Sequence, residues 1–281
     1  LLPATVLAED VAGPKVYVDA KNGNDSTGNG TEKSPYKTVG KALENIGDNA
    51  TVYLADGNYS TYAEEDKSGQ AKYCAGKTVT FVGTGAKSVN WQIGAEVPNP
   101  ALEGTEYNGD YSFDGAKSVT FKNLTLMSAE KDYLGFIRTD NTVVENCTVK
   151  GKTFYWGYTS AKFVNTTFIC PPGDYAIWTY SSPIMTFDNC IFESSGKVVN
   201  VYTDYSAGKH DITVNFKDCT VHSTNPESKS FLNINDANMG KYKYILNFTG
   251  INTVDGIKAD GIKATEESHK DYDKEQEDVT C

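Results

Sequence analysis

The sequence predicts an all-β solenoid of stacked coils, and three observations carry that expectation. A six-residue phrase is written five times between Ser118 and Asp236, as Phe121–Leu126, Val144–Val149, Phe163–Phe168, Phe187–Phe192 and Phe216–Val221. Its third position is Asn123, Asn146, Asn165, Asn189 and Asp218, recurring after 23, 19, 24 and 29 residues. A fixed phrase at such a loose period marks small repeats that must stack to bury a core. Within each phrase apolar residues stand two apart on either side of the amide, which is strand alternation and not helical spacing.

Each phrase therefore reads as two short strands meeting at a corner. Asn suits the corner because it tolerates a left-handed backbone and its short amide bonds neighbouring main chain. Stacked at about 4.8 Å per coil, the phrases form columns. One is Phe121, Val144, Phe163, Phe187 and Phe216; a second is the corner amides; a third is Leu126, Val149, Phe168, Phe192 and Val221. These phrases resemble the right-handed parallel β-helix of the pectate lyase-like superfamily, whose coils carry a stacked Asn column at one turn. The resemblance runs from roughly Val16 to Val254. It implies one elongated domain and speaks to fold rather than activity, because that fold hosts lyases, hydrolases, esterases and non-catalytic adhesins.

In chain order, residues 1–14 read as the remnant of a secretory leader, with small residues ahead of a cleavage point after Ala8. Residues 15–263 form the β-helix domain, opening on the strand Lys15–Asp19. The Gly-, Asn- and Asp-rich run from Ala20 to Ser34 is a loop. Its Asp19, Asn22, Asn24, Asp25 and Asn29 either make Asx-turns or could hold a calcium ion, though no EF-hand spacing is present. Val39, Ala42, Leu43 and Ile46 share a helical face, so a capping helix is expected over 35–46 with Ser34 as N-cap and Pro35 at N1. The module from Val16 to Tyr59 resembles the N-terminal unit of many bacterial β-helix surface proteins. Early strands follow at Thr51–Leu54 and Thr78–Phe81, and the period breaks between Asn90 and Phe113, read as a long excursion. Gly250 stands where a sixth corner amide belongs, and the pair Asp255–Lys258 and Asp260–Lys263 reads as a last turn. Residues 264–281 are almost all charged or polar, an acidic tail or linker.

Net charge is −11, the isoelectric point is about 4.8, and the single arginine is Arg138. That balance argues against nucleic acid, whose recognition needs clustered cations. No stretch is apolar for long enough to insert in a membrane as a helix. Six cysteines match no zinc or redox spacing. Cys147, Cys190 and Cys219 share one inward position and are read as buried free thiols, with a Cys190–Cys219 bridge as the alternative.

Chemistry is sought on the third strand of each coil. Aligning Phe136–Thr139, Trp156–Thr159, Trp178–Ser181, Asn200–Thr203 and Asn233–Asp236 gives two outward columns. One is Phe136, Trp156, Trp178, Asn200 and Asn233; the other is Arg138, Tyr158, Tyr180, Tyr202 and Asn235. Aromatic residues on a face that is usually polar either lie under a loop, stabilise the sheet by cross-strand pairs, or form a platform for sugar rings. By the resemblance, this strand carries the substrate groove. Weak catalytic candidates beside it are Arg138, Asp140, Asp204 and Asp236, with Asp174 and His210 nearby. The paired-Asp, Gly-His-Gly, lyase-Arg and esterase motifs of the superfamily are absent. The expected function is a secreted or cell-surface bacterial module, a monomeric part of a larger surface protein. It would bind a polysaccharide or glycoprotein glycan through Phe136, Arg138, Trp156, Tyr158, Trp178, Tyr180 and Tyr202, with no metal site and no cofactor other than calcium as an option. The alternative is a polysaccharide lyase or glycoside hydrolase acting in the same groove.

Overall fold

The structure, a computed structural model, describes residues 14–60, 74–93, 113, 115–128, 135–137, 139–151, 154–156, 159–170, 177–179, 184–194, 197–202, 211–224, 230–235, 244–258 and 279–280. Alternating apolar residues pair coil upon coil into three sheets, two along the solenoid and a shorter one of five strands. The first sheet stacks Lys15–Val18, Ala50–Leu54, Thr78–Gly83, Ser118–Lys122, Asn141–Glu145, Ser160–Val164, Ile184–Asp188, Ile212–Lys217, Tyr244–Thr249 and Val279–Thr280. The second runs from Gly57–Ser60 and Val89–Ile93 through Thr125–Ser128, Thr148–Lys150, Thr167–Ile169, Ile191–Ser194 and Thr220–Ser223 to Thr253–Val254. The third contains Gly135–Ile137, Phe154–Trp156, Ile177–Thr179, Lys197–Tyr202 and Ser230–Asn235. Pairing is parallel throughout, apart from an antiparallel strand, Ile257–Lys258, that folds back on Thr253–Val254. The Asp255–Gly256 turn of that hairpin has positive φ at both residues, as a tight two-residue hairpin requires.

The phrase folds as its residues dictate. Phe121, Val144, Phe163, Phe187 and Phe216 are in register, and so are Leu126, Val149, Phe168, Phe192 and Val221. All ten are buried. Phe163 and Phe187 stack at 4.9 Å between centroids and Phe187 and Phe216 at 5.0 Å, while Phe168 and Phe192 stack at 4.8 Å. The stacking distance is the strand spacing itself, so one ring per coil is a close-packed solution.

Every corner amide adopts the left-handed backbone: φ is 55° at Asn123, 53° at Asn146, 48° at Asn165, 53° at Asn189 and 53° at Asp218. Asn165 donates from Nδ2 to Asn146 Oδ1 at 3.2 Å, and Asn189 to Asn165 at 2.8 Å. The main-chain ladder continues round the corner, for example Asn189 N to Lys217 O at 2.8 Å and Thr220 N to Cys190 O at 3.0 Å. The residue after the corner points inward. Cys147, Thr166, Cys190 and Cys219 each donate to the carbonyl two residues back and to a carbonyl of the preceding coil. A thiol and a hydroxyl do the same work here. These cysteines are free, and burial pushes the Cys147 thiol up to about 12 and raises that of Cys190 as well. In the ninth coil Gly250 (φ 69°) takes the corner and one extra residue follows. Asn252 then fills the inward position, accepting from Cys219 N at 2.8 Å and donating to Thr249 O at 2.9 Å.

Three boundaries differ from expectation. The helix spans Val39–Glu44, and its N-cap is Thr38, which accepts from Lys41 N; Ser34 and Pro35 are not its cap and first residue. Residues 35–37 stay extended because Tyr36 is claimed by the first strand: its N–H donates to Tyr17 O and its carbonyl accepts from Asp19 N. Asp25 fixes the cap, accepting from Lys37 N, Thr38 N and the Thr38 hydroxyl. The helix face Val39, Ala42 and Leu43 is buried with Val16, Val18 and Tyr36, closing the N-terminal end of the core. At the other end Val279–Thr280 pairs in parallel with Tyr244–Ile245, so the segment expected as a tail ends on the first sheet. Asn90–Ile93, placed in the excursion from periodicity alone, belongs to the second sheet.

Candidate functional site

The third sheet is positioned by burial on its inner side. Ile177 is buried and aligns with Phe154 and Val199, while Phe154 aligns with Gly135 and Val199 with Leu232. The alternate column is Phe136, Tyr155, Trp178, Asn200 and Asn233. This corrects the sequence alignment by one residue in the fifth coil. Trp156 pairs with Ile137 and Thr179 and so shares a column with Val201 and Ile234, two residues along from the buried position. Tyr155 takes the place assigned to it. The signal was present in the run Phe154–Tyr155–Trp156, where three consecutive aromatics leave the phase of alternation undetermined.

Tyr202 pairs with Asn235 at the end of its strand. Arg138, Tyr158, Tyr180, Asp204, Asp236, Asp174 and His210 lie outside the described residues. Asp140 is exposed and joins coils through its backbone, donating to Ala116 O at 3.1 Å and accepting from Thr159 N at 2.9 Å and Ser160 N at 3.0 Å. Beside it Asn141 Nδ2 donates to Lys117 O, and the Ser160 hydroxyl to Asn141 Oδ1. Asp140 is thus a turn former in its main chain.

The acidic loop of the N-terminal module is built from Asx-turns. Asp19 accepts from Lys21 N, Asn22 N and Asn22 Nδ2; Asn24 accepts from Ser26 N and Thr27 N; Asn29 accepts from Thr31 N and its hydroxyl. Burial alone would raise the Asp19 carboxyl, but the donors from Asn22 and Lys21 outweigh it and hold the group below its ordinary value.

A feature the sequence did not announce lies on the outer side of the first three coils. Tyr17 and Tyr53 are in register and stack at 5.1 Å between centroids with planes 19° apart. They border a furrow of 310 Å³ floored by Tyr17–Asp19, Tyr53–Ala55 and Val82–Thr84 and walled by Glu32 and Pro35.

The sequence profile of the family described as "Protein of unknown function (DUF1565)" matches residues 21–269. No curated protein matches the chain in sequence. Among solved structures it is similar to the pectin methylesterase of Aspergillus niger in deglycosylated form, with a TM-score of 0.50 and 12% identity over 89% of this chain and 87% of that one. It is similar also to the pectin methylesterase from carrot, with a TM-score of 0.50 and 11% identity over 88% and 85%. At such identity the likeness is one of fold alone, the right-handed parallel β-helix.

Proposed function

The chain belongs to the family described as "Protein of unknown function (DUF1565)", and from that premise we propose that it is a non-catalytic glycan-binding module of a secreted or cell-surface protein. The observation that carries the reading is the third-sheet column Phe136, Tyr155, Trp178, Asn200 and Asn233, alternate to the buried Ile177. Flat rings stack on the apolar faces of pyranoses, and amides at the same height exchange hydrogen bonds with sugar hydroxyls. One such column supplies both along a single line of five coils. Arg138, next in sequence after Ile137, suits a carboxylate on an acidic sugar.

The test is a glycan array with the full chain, repeated with Tyr155→Ala and Trp178→Ala and followed by thermal unfolding of the same samples. Each variant should weaken binding by about 1–3 kcal/mol, the usual effect of removing a ring at a hot spot, with melting little changed. Intact binding together with a large fall in melting temperature would refute the reading. Release of reducing ends or of an unsaturated product from a bound polysaccharide would replace it with the enzymatic alternative, in which Arg138, Asp140, Asp204 and Asp236 are the residues to vary.

A further inference from the structure

We infer that the furrow over the first three coils is a second ligand site, on a different sheet from the one proposed above, and that it takes an uncharged pyranose unit of a glycan. Three register columns cross three consecutive coils there: Tyr17, Tyr53 and Val82; Val18, Leu54 and Gly83; then Asp19, Ala55 and Thr84. The middle column is buried and forms the floor. Gly83 is required in it, because a Cβ there would run into the carbonyl oxygen of Asn123 in the next coil.

The outer column makes the platform. Tyr17 and Tyr53 stack, and the next position is Val82. The ladder thus steps down from ring to branched aliphatic, leaving the far side of the Tyr53 ring as a wall above Val82 and Thr84. A flat group with one apolar face continues the ladder at the next strand spacing. A pyranose is such a group, and its hydroxyls need acceptors around the rim. Glu32 supplies a carboxylate and Thr84 a hydroxyl, while the Asp19 carboxylate, held by Lys21 N and Asn22, adds negative charge. Among the described residues no Lys, Arg or His lines the furrow. Glu32 is exposed and has no ion-pair partner among the described residues. The Glu32 carboxylate accepts hydroxyl donors readily, and with the negative charge of Asp19 beside it repels a uronate or a phosphate. The ligand is therefore a neutral sugar.

In later coils the same outer column is closed to such a ligand. It carries Lys122 and Glu145, paired at 2.9 Å, then Val164, then Asp188 and Lys217, paired at 3.2 Å. Between these the strand turns at once into the Asn corner. Among the described residues, the furrow lies where that corner is absent.

The experiment is calorimetric titration of the full chain with cellohexaose, mannohexaose and trigalacturonate, using wild type, Tyr53→Ala, Val82→Phe and Trp178→Ala. At least one neutral hexaose should bind. Tyr53→Ala should weaken it at least about tenfold, as for loss of a stacked ring. Val82→Phe places a protein ring where the ligand's would stack; it should abolish that binding with melting temperature unchanged or raised. Trp178→Ala should leave it intact. If Trp178→Ala removes all neutral-hexaose binding while Val82→Phe removes none, the furrow inference fails and the third-sheet reading stands. Absence of binding by either neutral hexaose, or tighter Val82-dependent binding of trigalacturonate, also overturns it.

Discussion

The first three coils and the five that carry the repeated phrase use the same columns in different ways. In the phrase coils the first strand ends at a left-handed Asn or Asp, and the second begins two residues later. In the early coils those corner positions hold Val18, Leu54 and Gly83, none of them left-handed, and the turns are wider: Ala55–Asp56 in one coil and Thr84–Ser88 in the next. A side-chain hydrogen bond from the Thr84 hydroxyl to Asp56 ties those wider turns together. The comparison shows what the amide does. It turns the chain sharply and carries the hydrogen-bond ladder round the bend, which leaves no space on the outside. Where it is missing, the outside of the bend becomes a furrow.

The largest expected effect tests whether the phrase coils draw their stability from the ring stack. Phe187 packs face to face with Phe163 and Phe216 and edge to face with Phe168 and Phe192. Phe187→Ala should cost about 3–5 kcal/mol, because it combines lost burial with a cavity the flanking coils cannot close. Tyr53→Ala, an equally large truncation on the outer face, should cost much less. Equal losses in urea denaturation would mean that the Tyr pair is core and that the two regions do not differ.

Next comes the third sheet. Its register puts Trp156 in a column with Thr179, two residues along from the one that holds the buried Ile177, and Tyr155 in the alternate column. Trp156→Ala should therefore lower stability by about 3 kcal/mol, and Tyr155→Ala by under about 1 kcal/mol. Thermal unfolding of the two variants side by side checks this, and the reverse order would restore the alignment read from sequence. At the corner, Asn165→Ala should cost about 1–2 kcal/mol for a left-handed residue with a Cβ and no compensating amide. Asn165→Gly removes the same hydrogen bonds without the backbone penalty and should lose less.

This ordering parallels how legible each part was in the sequence. The corner amides mark the phase of both flanking strands every time they occur, so the columns through Phe187 and Phe192 could be read directly. No residue marks the phase of the third strand, and in Phe154–Tyr155–Trp156 every frame looks alike. Ile177 settles the matter only through burial. The helix began late for a related reason. Ser34–Pro35 is a good local start signal, yet Tyr36 is drawn into pairing with the first strand, and tertiary hydrogen bonds outweigh a local cap. The furrow was invisible because it depends on Tyr17, Tyr53 and Val82, which are far apart in sequence and adjacent only once the coils stack. The thiol column was legible as inward but not as polar, since nothing in the letters Cys147 and Thr166 shows that both donate to corner carbonyls.

The smallest effect separates the two regions by pH. The N-terminal coils hold their turns with carboxylates: Asp48 accepts from Thr78 N at 2.8 Å and Asn49 N at 3.0 Å, and Asp19 accepts from Lys21 N and Asn22 N. The bond from Thr78 holds the Asp48 carboxyl below its ordinary value of 3.8, and Asp19 is likewise lowered. A carboxyl whose pKa is depressed by folding contributes stability that is present above its unfolded value and lost as pH falls through the folded one. The phrase coils use neutral amides at Asn146, Asn165 and Asn189, which do not titrate. Acidification below about pH 4 should therefore loosen the Asp48 and Asp19 turns while leaving the Asn146, Asn165 and Asn189 corners closed. Hydrogen exchange at pH 6 and pH 3, corrected for intrinsic rates, reads this directly. The amides of Thr78, Lys21 and Asn22 should lose protection, and those of Thr167 and Ile191 should keep theirs. Asp48→Asn should flatten the pH dependence at Thr78 alone. A uniform loss of protection along the solenoid would show that the coils respond to acid as one unit and that the carboxylate turns are not its weak point.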